Sequence, residues 1–539
     1  MNPIAFFSAE YAFEDVPIFA GGLGVLASDF LREAAQHDVS FVGLGLFYRY
    51  GFAPVDTPQP QRLDIEAAGW HLVYDQDEKP LQLSITVGGE VLYFQVWQRS
   101  FGKVTMYLLD CDVASNTQEQ RQITSFLYHS QFEIKLQQDL LLGIGGTRLL
   151  QELGITPYVY HLNEGHSAFA AIELMAQHKQ LKPHATFEEL CEAVTQELVA
   201  TKHTALSTAG IYISHNLFME MLEDYLREHY LPPEKVFALA QDPVRKDDFT
   251  TTRLMLTMAR ITNSVSRSHS HYEDKLHPGS EFHLPPITNG INLQRWQDTA
   301  VANTDNNEDF WAAHQNCKQR LIDYVNSSVN SNLQCDILTV VWARRITAYK
   351  RPLELFFELN RLARILTHDY YPIQVIIAGK PNVEDEVGVE MAREISEHAL
   401  NPRFQGRIAY VQEYSLELAH KLVSGADVWL NTPEKGYEAS GTSGMKAGAN
   451  GVLQCSVSDG WVDEVDISDS GWVLPEINTA DAIYGYLEYE IAPLYYDRDA
   501  SGIAEGWLKC MWNARRLIED RFTTTRMLEE YKQQLYGLE

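Results

Sequence analysis

The chain contains no apolar run approaching the roughly 20 residues that a membrane-spanning helix requires; runs such as 337–343 fall far short. Positive charge is scarce. Across 539 residues, 43 Lys and Arg stand against 73 Asp and Glu, a formal net charge of −30. Such a chain is poorly suited to nucleic-acid phosphates or an anionic membrane surface, both of which recruit basic patches. A small anionic ligand is not excluded, because it needs only a local basic pocket. Cysteine is sparse as well. The six residues Cys111, Cys191, Cys317, Cys335, Cys455 and Cys510 form no CxxC pair, which excludes a dense disulfide framework, gives no zinc signature and fits a reducing compartment. The opening MNPIAFFSAEYAFED lacks a basic n-region and a cleavage-like site, so no signal peptide is expected and the expected location is cytoplasmic. Gly (33) and Pro (21) are at ordinary levels, which excludes collagen-like and low-complexity chains.

What is present reads as alternating strands and helices. Residues 4–9 (IAFFSA) read as a buried strand, Gly21, Gly22 and Gly24 as a flexible turn, 25–36 as a helix and 39–48 as a strand. An antiparallel hairpin is predicted at 81–98, turning at Gly88-Gly89. Residues 158–161 read as a strand end that runs into Asn163, Glu164, Gly165 and His166. In the second half strands are predicted at 337–343, 373–378, 407–411, 426–430 and 452–457. The intervening helices include one starting at Pro352, with Leu355, Leu359, Leu362 and Leu366 on its buried face. This alternation predicts an α/β fold of two Rossmann-like domains, with ligands beyond the carboxyl ends of the strands and in the cleft between facing domains. The expected domains are 1–295 and 296–539, with the helix at 507–521 free to pack on either half.

Four stretches carry chemistry. EASGTSGMKAGANG (438–451) places Gly441 and Gly444 for close backbone approach and Lys446 in the first turn of a helix. A desolvated lysine amine can form a Schiff base with an aldehyde cofactor, although glycines beside a lysine describe an ordinary loop as readily. RRITAYKR (344–351) sets four cations directly after a strand, which suits phosphate oxygens; cations are unfavourable at a helix start, so an anion is expected there. GGLG (21–24) reads as a sugar- or diphosphate-binding turn or simply a tight βα turn. HLNEGHSAFA (161–170) lacks HEXXH, so no metal is expected, and Asn163 reads as a helix cap. His269, His271 and His277 read as a surface loop or helix. TKHT (201–204) and TNG (288–290) read as polar strand ends that suit sugar hydroxyls.

Taken together and in order, FSAEY, GGLGVLASD, HLNEGHSAF, TKHT, SVSRSH, TNGI, ARRITAYKRP, AGK, EASGTSGMKAGANG and DGW resemble the α-glucan phosphorylases, the glycogen, starch and maltodextrin phosphorylase family. The likeness is to the compact bacterial branch whose lysine motif reads GTSGMK. It spans about residues 4–461.

The resemblance implies a GT-B type glycosyltransferase fold, with the glucan side in the first domain and pyridoxal 5'-phosphate and phosphate in the second. It implies reversible phosphorolysis of an α-1,4-glucan by inorganic phosphate to α-glucose 1-phosphate, with retention of configuration. Lys446 matches the lysine that holds pyridoxal phosphate. Arg345 and Lys350 match holders of the substrate and cofactor phosphates, and Arg344 a basic residue beside the cofactor phosphate. His203 matches the histidine beside the reacting glucosyl unit. Gly22, Leu23 and Gly24 match the loop over phosphate and sugar. Asn289, Glu438, Ala439, Ser440 and Gly441 match binders of sugar hydroxyls and phosphate, while Thr442 and Ser443 offer N–H groups to the cofactor phosphate. The chain begins at the first catalytic strand, so phosphorylation control is not expected; a homodimer is left open. Two departures stand out. Ser415 occupies a position where longer members place a basic residue, and Ala-Leu-Ser follows TKHT where close relatives have a proline-containing run. The alternatives are a nucleotide-sugar glycosyltransferase, which would usually carry a lysine where this chain has Ala20, and a catalytically silent glucan-binding homologue.

Overall fold

Strands rich in β-branched and aromatic residues, the central ones almost wholly buried, make the two main sheets. The computed structural model describes residues 2–52, 60–205, 210–276, 282–382 and 385–538, with backbone alone at 274–276. His277 and positions 206–207 lie outside the described residues. By contacts the chain forms two units: Met1–Val265 with Ser270–Ile287 and Leu528–Glu539, and Ser266–His269 with Thr288–Met527. Both are mixed α/β.

In the first unit, six strands pair in parallel, side by side in the order Ile261–Asn263, Leu198–Thr201, Val159–Asn163, Ile4–Ser8, Phe41–Leu46 and Val104–Asp110. Numbered along the chain, this is 3-2-1-4-5-6 read from the Val104–Asp110 edge. Ile4–Ser8 is buried at all five positions, as expected for a strand covered on both faces. The hairpin forms as predicted. Gln82–Val87 pairs antiparallel with Glu90–Phe101, and Gly88 and Gly89 take φ of 59° and 73°, the double positive φ that a tight two-residue hairpin turn needs. Glu90–Phe101 then extends the sheet by pairing with Val104–Asp110.

In the second unit, all six strands are parallel, in the order Ile408–Val411, Ile373–Ala378, Leu338–Ala343, Val428–Asn431, Leu453–Val457 and Gly471–Leu474. This is again 3-2-1-4-5-6. The order reverses between Leu338–Ala343 and Val428–Asn431, so the loops leaving their carboxyl ends diverge and open a crevice where ligands bind in such sheets. These loops are the basic stretch and the glycine-rich stretch. The amino ends of the same strands rest on a buried network. Asp427 accepts from Lys318 Nζ at 2.5 Å, lies 2.8 Å from His314 Nε2 and accepts from the Thr339 N–H at 2.7 Å. Lys318 and His314 lie on the long helix Asn307–Val329.

Several local expectations change. Gly22, Leu23 and Gly24 are not a flexible turn but the first turn of the helix Gly22–Gln36. No helix starts at Pro352. A single 3-10 turn, Glu354–Phe356, intervenes, and the helix runs Leu359–Leu366, with Leu355, Leu362 and Leu366 buried. Asn163 does not cap a helix: its side chain turns to Ser8 and His203. His269 is buried, not on the surface. The segment 288–290 carries no strand. The helix Glu505–Arg521 lies within the second unit, where a Cβ on Gly448 would meet Ile518 Cγ1 at 2.8 Å. The final residues fall with the first unit, where Tyr536 bonds His161 and Tyr531 bonds Thr201 and Asn263. Among the described residues, no helix is long and apolar enough to cross a membrane.

Candidate active site

The second unit brings two cations of its basic loop to one carboxylate. Arg344 leaves the end of Leu338–Ala343 and is buried; the adjacent Arg345 is exposed. Gly379 permits this path. At φ 132° its backbone passes so close that a Cβ would lie 2.0 Å from the Arg344 carbonyl oxygen. Arg344 Nη2 lies 2.8 Å and Lys350 Nζ 2.9 Å from Glu438 Oε2. Burial alone would raise the Glu438 carboxyl, but the Arg344 and Lys350 charges outweigh it and hold it down at about 2. Part of the anion expected beside the basic loop is therefore the protein's own carboxylate. Arg351 is structural, donating to the Thr432 and Pro433 carbonyls and pairing with Glu354. Arg345 has no ion-pair partner among the described residues.

The loop carrying Glu438 is tied down at several points. The Glu434 N–H donates to the Tyr349 carbonyl at 2.7 Å, and the rings of Tyr349 and Tyr437 stack with centroids 6.2 Å apart. The Tyr349 ring also lies 5.1 Å from Lys350 Nζ. Asn289 Nδ2 donates to the Ser440 carbonyl at 3.0 Å, and the Ser266 hydroxyl to the Ala439 carbonyl. A Cβ on Gly441 would meet Glu438 Oε1 at 2.7 Å and Arg344 Nη2 at 3.3 Å, so a larger residue would press on this ion pair. The helix Ser443–Ala449 follows; Thr442 precedes it and accepts from the Lys446 N–H through its carbonyl. Lys446 is buried, with its ammonium 4.1 Å from the centroid of Trp296. Ser415 caps the helix Leu416–Gly425 by accepting from the Leu418 N–H.

This group suits a phosphorylated aldehyde cofactor. Besides a buried amine, three buried polar atoms of this group have no hydrogen-bond partner among the described residues: Arg344 Nη1, Ser440 Oγ and Asn289 Oδ1. Such atoms cost about 1–3 kcal/mol each unless something pairs with them. A cationic donor, a hydroxyl and an amide oxygen are the groups that phosphate and sugar hydroxyls would satisfy.

In the first unit, a second set of residues sits at the carboxyl ends of Ile4–Ser8, Val159–Asn163 and Leu198–Thr201. Glu10 Oε2 accepts from the Ala20 and Gly21 N–H groups at 2.8 and 3.2 Å, and Tyr128 donates to Glu10 Oε1. Gly24 packs where a Cβ would meet Phe19 Cβ at 2.6 Å, whereas Cβ atoms on Gly21 or Gly22 would meet nothing within 4 Å. Among the described residues no side chain caps this helix start, which leaves its leading N–H groups suited to an added acceptor. His203 Nε2 lies 2.7 Å from Asn163 Oδ1, and the His203 N–H donates to Glu164 Oε2 at 2.7 Å. Glu164 is held at φ 74°, a conformation that costs energy outside glycine and gathers at functional sites. Burial raises its carboxyl above the ordinary range despite the His203 N–H and Lys202, and burial pushes His166 down to about 4.

The "Carbohydrate phosphorylase" family model matches residues 287–471. A glycogen phosphorylase of Aquifex aeolicus is 32% identical over 608 aligned positions, covering 99% of this chain and 86% of that protein. The chain belongs to the glycogen and maltodextrin phosphorylase family. A maltodextrin phosphorylase of Thermococcus litoralis is 29% identical, with 99% of this chain and 70% of that protein covered. An uncharacterised protein of Methanocaldococcus jannaschii is 28% identical, with 99% and 100% covered. Asn289, Arg344, Arg345, Lys350, Glu438–Gly441, Thr442, Ser443 and Lys446 all fall within the stretch that the phosphorylase model matches. Gly22–Gly24 and His203 lie outside it. The structure adds residues that motif reading passed over: Trp296 beneath Lys446, the Tyr349–Tyr437 stack and Asp459. The DG of DGW, placed just after a strand, was the available signal for Asp459.

Proposed function

We propose that this phosphorylase-family chain is an α-1,4-glucan phosphorylase, transferring the non-reducing-end glucosyl unit of an α-1,4-glucan to inorganic phosphate. One observation carries the reading: the buried Arg344 and Lys350 converge on half-buried Glu438, eight residues before a buried lysine, at the switch point of a parallel sheet. In this reading the two units take the roles of the halves of a GT-B fold, with glucan on the side of 1–295 and phosphate on the side of 296–539.

In this reading Lys446 holds pyridoxal 5'-phosphate, with Arg344, Gly441, Thr442 and Ser443 around its phosphate. When bound, the cofactor supplies a second phosphate able to relay a proton to the substrate phosphate. Lys350, Arg345 and Arg344 hold inorganic phosphate, because two neighbouring phosphates repel unless cations and N–H groups surround them. Gly22, Leu23 and Gly24 cover phosphate and sugar with backbone N–H groups, while Asn289, Glu438, Ala439 and Ser440 orient sugar hydroxyls. His203, fixed by Asn163 and Glu164, lies beside the reacting glucosyl unit. A phosphate oxygen bonds to C1 as the C1–O4 bond breaks, and the phosphate proton passes to O4. Attack on the same face retains the configuration. Exclusion of water favours phosphate over hydrolysis. No pair of catalytic carboxylates is required.

The test is incubation with a maltodextrin and inorganic phosphate. α-Glucose 1-phosphate, formed with loss of one glucosyl unit from the non-reducing end, is the expected product. Glucosyl transfer from a nucleotide sugar, without phosphorolysis, would overturn the reading.

A further inference from the structure

Asp459 follows Leu453–Val457, the strand next to the one that leads into the Glu438 loop. It is 4% exposed. Its Oδ2 accepts from the Gly436 N–H at 2.9 Å and the Glu438 N–H at 3.2 Å, and its Oδ1 from the Gly460 N–H at 2.9 Å. Gly436 and Glu438 flank Tyr437, so one carboxylate grips both ends of the turn that delivers Glu438 to the cations. Gly460 completes the template: at φ 58° its backbone presses so closely on the loop that a Cβ would meet Ser440 Cα at 2.9 Å. The Ser268 hydroxyl donates to the Gly460 carbonyl at 3.4 Å. Its side-chain hydrogen bonds among the described residues all come from backbone N–H groups. It touches no reacting group; it touches the peptide that carries one.

We infer that Asp459 is a positioning residue: its carboxylate fixes the Gly436–Glu438 peptides, and through Glu438 it sets the spacing of Arg344 and Lys350 that receives phosphate. The inference rests on the reading of that cluster as the phosphate site. The charge of Asp459 has a cost that a purely structural position would avoid. Burial, against the three N–H groups and with the Glu438 charge adding to it, raises its carboxyl to about 6. An asparagine would remove this cost, yet its single oxygen could not serve three N–H donors.

The test uses the full-length chain carrying its cofactor. In Asp459→Asn, the KM for inorganic phosphate is expected to rise roughly tenfold or more, as for loss of a charged hydrogen bond, with a smaller change in kcat. Sulfate affinity, measured by calorimetry, is expected to fall by a similar factor. Gly460→Ala keeps the carboxylate but displaces Ser440, and it should give the same KM-weighted defect; it decides the matter if Asp459→Asn does not fold. A folded Asp459→Asn protein with wild-type phosphate KM and sulfate affinity would overturn the inference. If the wild type performs no phosphorolysis, the functional reading fails, and the sulfate comparison alone decides whether Asp459 shapes the anion site.

Discussion

Lys350 and Glu438, 88 residues apart in sequence, meet at 2.9 Å on the same carboxylate oxygen that Arg344 reaches at 2.8 Å. The two loops come from strands that are neighbours only because the sheet order reverses between them. Replacing either partner leaves uncompensated charge in a buried place. Lys350→Ala should lower kcat/KM for phosphorolysis by roughly 100-fold or more, the scale for removing a preorganised charge-stabilising group. Glucan affinity should change far less. Steady-state kinetics with phosphate and glucan varied separately checks this, and normal turnover would remove Lys350 from the anion site.

Glu438 and Asp459 should pull acid stability in opposite directions. The folded Glu438 carboxyl is depressed from 4.5 to about 2. Its contribution is therefore complete above about 4.5 and is lost as pH falls towards 2. Asp459 is raised from 3.8 to about 6, so the folded state binds the extra proton and stability rises as pH falls from 6 towards 3.8. Denaturant unfolding at several pH values should show Asp459→Asn losing the second slope. Glu438→Gln should lose the first and be less stable at neutral pH. Unchanged slopes in both variants would refute the assignment.

Lys446→Ala should abolish retention of pyridoxal phosphate. The purified variant should lack the near-ultraviolet or violet absorbance expected of the wild type, while its unfolding midpoint in the absence of cofactor stays close to that of wild-type apoprotein. A variant that keeps the band after dialysis would place the cofactor on another amine.

Gly22 and Gly24 should respond differently to alanine. A Cβ at Gly24 would strike Phe19 Cβ at 2.6 Å, a misfit expected to cost about 1–3 kcal/mol of stability. A Cβ at Gly22 meets open space, so Gly22→Ala should leave stability nearly unchanged and instead raise the KM for phosphate or glucan. Thermal unfolding paired with kinetics separates the two; equal destabilisation by both would contradict the packing.

Lys318→Met should destabilise the second unit by about 3–5 kcal/mol, because it strands the buried Asp427 carboxylate that also holds Thr339. Urea unfolding measures it, and a neutral effect would show that His314 compensates alone.

Much of the second unit was legible because its strands are short, largely apolar and separated by helices. The basic loop and the glycine-rich loop were visible as composition. Their shared partner was not, because the pairing of Glu438 with Arg344 depends on which strands lie side by side. Local signals misled in several places, and three have a clear physical cause. The glycines at 22 and 24 suggested a turn, yet Glu10 anchors the preceding N–H groups and lets a helix start at once. Pro352 suggested a helix start, but Arg351 in the left-handed region at φ 46° redirects the chain, and the helix waits until Leu359. Asn163 suggested a cap, but tertiary contacts with Ser8 and His203 claim its side chain. DGW marked the stretch that holds Asp459, but no role could be read from it, because its partners are backbone amides and not side chains.

The Lys318–Asp427–His314 network sits beneath the amino ends of the central strands, while the reactive loops leave the opposite ends. Foundations and chemistry are thereby separated by the length of a strand. Variation in the loops at 344–351 and 432–444 can retune specificity without loosening the base, and repairs to the base can raise robustness without touching selectivity.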